Sequence, residues 1–531
     1  MTTPTRRSLL GMGGAVLGAF AATSIVPQSA SAAPGVGDYR VVTRSSEQFE
    51  DLRQGTNLRW RGNPERLAFP RGADEVAAEI RTVLDRGLRP AVRSGGHCYE
   101  DFTTHGGITA VIDTSAMNQV RWDPEMKAFE VGAGAQLGVV YQLLYKQWGV
   151  YLPAGNCPTV AAGGHIAGGG YGSMNRRDGL VVDHLAAVEA VHVKEDGTVA
   201  VSVGTSDPDD PNHDLWWAYT GGGGGNFGVA TRYWMRSPGA DGASPREALP
   251  APPKKVLVNS VAWDWDGIDE SSFERLLANH GRWHEENSEA GTPEAGLFSQ
   301  LKLWHRSNGS ITVDTIVDAG VPDAEGVLRR YVEALSEGVG APIERENRLV
   351  PWMQATSWNG FTGPDSTRRF DGKSAYLRRA WTREAVRGAW EGLNDTSLSN
   401  PGALLMIASY GGAVNTVDSD ATAVAQRDSI IKFQVVSIWD DPGDDAANTA
   451  WTRATYSAMF ASSGGVPAPS EDTDGCFVNY CDTDLDDPDW NTSGLSSLDL
   501  YYKGNLPRLQ RARAAYDPKE IFRHAQSLPL G

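Results

Sequence analysis

The chain is poor in cysteine, short of positive charge, and lacks any long apolar run beyond its N-terminus. Four cysteines in 531 residues rule out a disulfide scaffold, and none falls in a C-x-x-C pair, which removes a zinc ribbon or thioredoxin-type dithiol. Lys and Arg number 48 against 66 Asp and Glu, a formal net charge of −18. Such a surface repels phosphate backbones and anionic lipid, so nucleic acid is discounted as a main partner. No stretch after the first turns of the chain approaches the ~18 uninterrupted apolar residues of a membrane span. Also missing is a G-x-G-x-x-G segment at a strand-to-helix turn, which excludes a Rossmann-type dinucleotide site. What is present is globular: 40% hydrophobic residues, 17 Trp and 60 Gly. About 150 residues per domain gives roughly three domains as a prior, with two large ones fitting equally well.

Thr5-Arg6-Arg7-Ser8-Leu9-Leu10, a Gly/Ala-rich apolar stretch to Val26, and Ala30-Ser31-Ala32 follow one another at the start. A basic beginning, an apolar centre and an A-x-A site predict a cleavable export signal over residues 1–32 and a secreted protein. The paired arginines point to the twin-arginine route. That route resembles one used by proteins exported already folded, so a tightly held cofactor is expected.

Arg66 to Pro70 reads as a strand, and Val76, Ala77, Ile80, Val83 and Leu84 follow with the period of a helix buried on one face. Asp74 near its start and Gly87 past its end suit capping. Pro90 to Arg93 then completes a βαβ unit, followed by strands at Ile108 to Ile112 and Lys127 to Val131. A helix through Leu143, Leu144 and Trp148 is expected to stop at Gly149. Pro238-Gly239 and Pro250-Ala251-Pro252-Pro253 mark a boundary. Beyond it, alternating runs at Val256 to Trp263, Leu297 to Trp304, Ile311 to Val317 and Ile431 to Trp439 predict a half-buried antiparallel sheet. A helix carrying Val327, Leu328, Tyr331, Val332 and Leu335 lies between them.

The glycines cluster in three loops: Arg93-Ser94-Gly95-Gly96-His97, Gly163-Gly164-His165 through Gly168-Gly169-Gly170-Tyr171, and Gly224-Gly225-Asn226-Phe227-Gly228 with the glycines before it. Glycine lets the backbone approach a ligand, and successive N–H groups form an anion-binding concavity. Three such loops suit the pyrophosphate of a dinucleotide held by a non-Rossmann architecture. Zinc is a competitor, with His97, Cys98, Cys157 and His165 as ligands. Their spacing fits no zinc pattern and no carboxylate cluster accompanies them, so no metal is expected.

These loops, with Cys157 in Pro153-Ala154-Gly155-Asn156-Cys157-Pro158, resemble those of the berberine-bridge-enzyme-like FAD-linked oxidases. The likeness runs nearly end to end and is nearest the bicovalent, aclacinomycin oxidoreductase-like members. It implies an α+β, two-domain FAD-binding fold of the vanillyl-alcohol-oxidase type, with an antiparallel-sheet substrate domain. The FAD domain is expected over residues 33–240, the substrate domain over 241–445, and a segment returning to the FAD domain over 446–531. By resemblance His97 binds the flavin 8α-methyl and Cys157 its carbon 6. Arg93, Ser94, Gly95, Gly96, Gly163, Gly164, His165, Gly168, Gly169, Gly170, Gly224, Gly225, Asn226, Phe227, Gly228 and Asn505 complete the cofactor set.

Tyr480, in Phe477-Val478-Asn479-Tyr480-Cys481-Asp482, resembles the family's tyrosine base, with Tyr410 and Tyr171 as further active-site tyrosines. Cys481 stands where the family commonly has proline, and its pairing with Cys476 is left open. The expected activity is oxidation of a secondary alcohol on a bulky metabolite, such as a glycosylated polyketide, with dioxygen reduced to hydrogen peroxide. The alternatives are a carbohydrate oxidase forming a lactone and a dehydrogenase using another acceptor. Oligomeric state is not legible.

Overall fold

Three sheets organise the chain in the computed structural model, which describes residues 39–362 and 367–531. The expected export signal lies outside the described residues. The first sheet is mixed and four-stranded, ordered Arg40–Thr43, Arg66–Phe69, Ala110–Asp113, Pro90–Arg93. The helix Ala73–Asp85 crosses between two of its parallel strands and buries Val76, Ala77, Ile80 and Val83, as its periodicity predicts. Gly72 takes the N-cap, and Asp74 sits in the first turn, where its charge suits the helix dipole. The following strand starts later than Ile108, because Ile108 N–H closes a turn on the His105 carbonyl at 2.9 Å.

The second sheet is antiparallel and five-stranded: Val120–Asp123, Ala128–Gly132, Val229–Met235, Leu185–Val193, Val199–Thr205. Lys127 drops out of the expected strand because it occupies the left-handed region, φ 51°, in the hairpin turn. The helix Leu137–Trp148 ends where the sequence says, on Gly149 in a left-handed cap at φ 74°.

The third sheet is antiparallel and seven-stranded, ordered Ile343–Pro351, Lys255–Asp264, Ser310–Asp318, Leu297–Trp304, Ala403–Ser409, Ile431–Trp439, Arg369–Leu377. On Leu297–Trp304, Ala403–Ser409 and Ile431–Trp439 the side chains alternate between the two faces. Leu301, Leu303, Leu405, Ile407, Phe433 and Val435 join the apolar core with Phe273, Tyr331 and Ala389 of the helices Glu270–Glu286, Ala324–Ser336 and Arg383–Leu393. The other face carries Gln300, Lys302, Met406, Lys432 and Gln434 in cross-strand register. Ile343–Pro351 escaped sequence reading because it is a charged, mostly exposed edge, blunted against pairing.

The helix Asp445–Met459 stays on this sheet, with Tyr456 donating to the Ser374 carbonyl at 2.7 Å. The chain then returns to the glycine-rich half. Arg513, sealed from solvent, donates to the Asn226 carbonyl at 3.0 Å and to that of Phe522 at 2.8 Å, and Tyr502 donates to the Gly222 carbonyl at 2.9 Å. The architecture is α+β.

Candidate active site

Residues from all three parts of the chain line one cavity of about 420 Å³. Its first wall follows the strand Pro90–Arg93. Arg93 is buried in an ion pair with Asp113 at 2.6 Å, and Ser94 donates to the Ala133 carbonyl at 2.6 Å. Gly95 is required by packing, since a Cβ there would lie 2.6 Å from the Ala161 backbone nitrogen. His97 Nε2 is 2.9 Å from Thr159 Oγ1. With Nε2 donating, the imidazole lone pair falls on Nδ1.

Cys157 enters from the Pro153-Ala154-Gly155-Asn156-Cys157-Pro158 segment. Tyr141 donates to the Gly155 carbonyl at 2.6 Å, and Gly155 N–H donates to His165 Nε2 at 3.0 Å. Burial, with the nearby Lys432 charge, pushes His165 down to about 4. His165 therefore stays neutral and props the Cys157 loop. Gly224, Gly225, Asn226 and Gly228 line the far end, where His524 stacks on Phe102 at 4.3 Å.

The reactive end is aromatic. Tyr480 and Tyr171 hydroxyls are 2.8 Å apart, and the Tyr480 ring stacks on Tyr99 at 4.8 Å. Tyr99 donates to Gln434 Oε1 at 3.0 Å. Lys432 Nζ is fully buried and has no hydrogen-bond partner among the described residues; it lies 3.4 Å from the Tyr171 ring centroid, 3.2 Å from Phe477 and 4.6 Å from Tyr480. Burial pushes Lys432 well below its ordinary value. Burial, then the neighbouring Tyr171 and Tyr99, pushes Tyr480 well above 10, and burial raises Tyr171 to about 12. Each group alone prefers to be neutral, but an ammonium on the ring faces and a phenolate beside it stabilise one another. Chemically, the cluster can take a proton from a bound hydroxyl.

Several sequence expectations need correction. Tyr410 does not line the cavity: it is buried edge-on to Tyr376 at 5.2 Å, and its hydroxyl donates to the Gln426 carbonyl at 3.3 Å. Asn505 is likewise remote from the lining, and its amide ties down the carbonyls of Ser419 and Thr422. Gly168, Gly169 and Gly170 serve packing, each leaving room for a side chain: Asn479, Val424 and Val181 respectively. Phe227 is core, edge-on to Tyr219 at 5.8 Å. Cys481 meets Cys98 rather than Cys476, with sulfurs 3.7 Å apart, while Cys476 contacts Tyr456. Arg93, Ser94, Gly95, Gly96, His97, Cys157, Gly163, Gly164, His165, Gly224, Gly225, Asn226, Gly228, Tyr171 and Tyr480 do line it.

Lys432 and Gln434 were missed, though a signal existed. In Ile431-Lys432-Phe433-Gln434-Val435 a lysine and an amide alternate with core residues on an expected strand, and period 2 puts both on the face away from the core.

The lining fits an FAD: two candidate nucleophiles, His97 and Cys157, open onto the cavity, and Gly224 carries no Cβ and has open space where one would project. Comparison with known proteins agrees. Residues 64–202 match the family model of an FAD binding domain, and residues 476–529 match that of berberine and berberine-like proteins. Aclacinomycin-N/aclacinomycin-A oxidase of Streptomyces galilaeus is 45% identical over 99% of this chain and 98% of its own. The solved structure of an aclacinomycin oxidoreductase has a TM-score of 0.89 at 46% identity, over 93% of this chain and 100% of that one. A glycopeptide hexose oxidase complexed with teicoplanin has a TM-score of 0.89 at 41% identity, over 92% and 98%.

Two outcomes follow from this geometry. Gly95→Ala lowers the fraction of purified protein carrying flavin severalfold, read from the visible absorbance, whereas Gly106→Ala, at an exposed site with open space, leaves it unchanged; equal loading would contradict the packing account. Glu100, whose side chain accepts from Thr483 N–H at 3.1 Å beside the Tyr480 loop, is raised to about 7 by burial and by Asp482. Between roughly pH 4.3 and pH 7 the folded carboxyl keeps a proton that the unfolded one releases, so stability falls as pH rises through that window. The thermal midpoint of Glu100→Gln should gain on wild type across it and hold a constant lead above; a constant offset at all pH values would refute the assignment.

Proposed function

The chain belongs to the berberine-bridge-enzyme-like family of FAD-linked oxidoreductases, and on that premise we propose that it oxidises a secondary alcohol of a bulky, glycosylated metabolite to the ketone, reducing dioxygen to hydrogen peroxide. It is an FAD-dependent oxidoreductase. In the proposed reading it is secreted by the twin-arginine route, with flavin bonded through His97 and Cys157. The reading rests on one observation above others: the Tyr480–Tyr171 hydroxyl pair at 2.8 Å, backed by Lys432, opens onto the same cavity as His97 and Cys157.

FAD supplies a ring that accepts a hydride and passes two electrons to dioxygen. The chain's own residues do the rest. Tyr480, as phenolate, takes the substrate hydroxyl proton while the carbinol C–H leaves as hydride, so one C–O single bond becomes a carbonyl with two electrons and two protons removed, one proton to Tyr480 and the other within the hydride. Tyr171 donates a hydrogen bond to that phenolate, and Lys432, as ammonium, lies against both rings. Tyr99, its hydroxyl occupied by Gln434, holds the Tyr480 ring in plane by stacking. The polar face of the seven-stranded sheet closes over this end and limits water, which strengthens each of these charges.

Tyr480→Phe should bind flavin normally and lose about 10²–10⁴ in turnover, measured as peroxide formed from an alcohol panel in air. Wild-type turnover would overturn the base assignment. The intact mass of secreted, acid-denatured protein reads linkage and export together. A chain beginning at Ala33 and heavier by one FAD is expected, with only a single link left in His97→Ala or Cys157→Ala. A colourless chain at apoprotein mass would sink the bicovalent reading.

A further inference from the structure

Two thiols on the cavity lining take no part in the proposed oxidation. Cys98 follows His97, Cys481 follows Tyr480, and their sulfurs are 3.7 Å apart. Three contacts between neighbouring residues hold the two segments side by side. The Tyr99 and Tyr480 rings stack at 4.8 Å, and Thr483 N–H and Oγ1 both donate to Glu100 Oε1, at 3.1 and 3.2 Å. The sulfurs therefore meet because their backbones are pinned together, across 383 residues of sequence. Cys98 is half-buried and Cys481 is buried. The hydrogen bond to Cys98, then burial, pushes the Cys481 thiol well above its ordinary value, so Cys481 is the donor of the pair. The Cys98 sulfur keeps its lone pairs for an incoming reagent. Cys476, by contrast, is buried off the lining and contacts the Tyr456 hydroxyl at 3.4 Å.

We propose that Cys98 and Cys481 are a peroxide-sensitive pair, which hydrogen peroxide closes into a disulfide tying the His97 segment to the Tyr480 segment. The pair rests on the proposed function only for its source of peroxide, released into the cavity that both thiols line. The Cys98 sulfur attacks one peroxide oxygen, the O–O bond breaks, and Cys98 becomes a sulfenic acid as one water leaves. The Cys481 sulfur then displaces that hydroxyl as a second water, and the S–S bond forms. Two thiols lose two electrons and two hydrogens, and one peroxide becomes two waters. Closure brings the sulfurs roughly 1.7 Å nearer, a movement that rotation about two Cα–Cβ bonds divides between them. A lone thiol on this lining would go on to the sulfinic acid, which does not revert. A partner sulfur at 3.7 Å intercepts the sulfenic acid first.

The test takes the holoenzyme, reduced with dithiothreitol and freed of it, and adds reagent hydrogen peroxide, so that no alcohol substrate is involved. Samples are alkylated under denaturing conditions and cut with chymotrypsin, which cleaves after Tyr99, Phe477 and Tyr480 and so separates Cys476 from Cys481. The peptides carrying Cys98 and Cys481 should be recovered joined, two hydrogens lighter than their sum, and should part again under dithiothreitol. The thermal midpoint should rise on joining, because the link closes a loop of 383 residues, and fall back on reduction. In Cys481→Ala, which removes the resolving sulfur, peroxide should leave Cys98 two or three oxygens heavier, with no rise in midpoint. Both thiols still alkylated after peroxide, Cys98 recovered as sulfinic acid in wild type, Cys98 joined to another cysteine, or joining without a rise in midpoint would each overturn the proposal and leave alcohol oxidation standing. The wild-type peptide map decides this whether or not the variant folds. Absence of peroxide from every alcohol offered would instead sink the oxidase reading, while the reagent experiment still decides the pair.

Discussion

Lys432 is an amine shut away from water, without a hydrogen-bond partner for its Nζ among the described residues, and with aromatic faces around it. An unpaired buried ammonium is unfavourable by several kcal/mol, of which ring faces return about 2 when desolvated. The rings come from every part of the fold: Tyr171 from the glycine-rich half, Tyr376 from the sheet that also carries Lys432, and Phe477 and Tyr480 from the returning tail. The three segments thus meet at one group whose charge is tolerable only if a negative charge forms next to it. Tyr480 is the matching case, a phenol whose ionisation burial opposes. Burial disfavours the charged form of each alone; in the proposed function the two together act as the base.

The same dependence explains why the tail must close back so firmly. Asn479, next to Tyr480, donates to the His165 carbonyl at 3.1 Å, and it fits only because Gly168 has no side chain. His165 in turn holds the Cys157 loop through Gly155. A chain of short, specific contacts therefore ties the tyrosine to the cysteine proposed to bind flavin. On the other side, Lys373 is buried between Asp482 at 2.8 Å and Asp484, fixing the residues just after Tyr480 to the roof sheet. Cys481 packs on Cys98, so the residues following Tyr480 and His97 are also in contact.

Much of this was legible beforehand, for identifiable reasons. Helices with one apolar face, such as Ala73–Asp85, declare themselves by period, and Gly149 declares a helix end by its left-handed conformation. His97 and Cys157 stood out through the glycine and proline around them. The edge strand Ile343–Pro351 was hidden because an exposed charged edge has no apolar alternation. Tyr410 and Asn505 were misassigned because a motif gives a residue's neighbours in sequence, whereas lining a cavity depends on which way a turn sends the side chain. Gly411, at φ 83°, follows Tyr410 where that ring sits behind Tyr376. Lys432 and Gln300 could be placed on a face by period 2, but only the register of separate strands shows what each faces.

The central claim is that Lys432 and Tyr480 ionise as a linked pair, and the pH dependence of kcat/KM in Lys432→Met tests it most directly. Lys432 Nζ lies 4.6 Å from the Tyr480 ring centroid, and two unit charges at a separation of about 5 Å attract by roughly 3 kcal/mol at an effective dielectric of ~20, about two pKa units. Removing the cation should raise the pKa of the rising limb by about that much, so activity falls about 100-fold near neutrality and recovers at high pH. A uniform loss with the limb unmoved would contradict the account, because Lys432 would then be acting only by filling space.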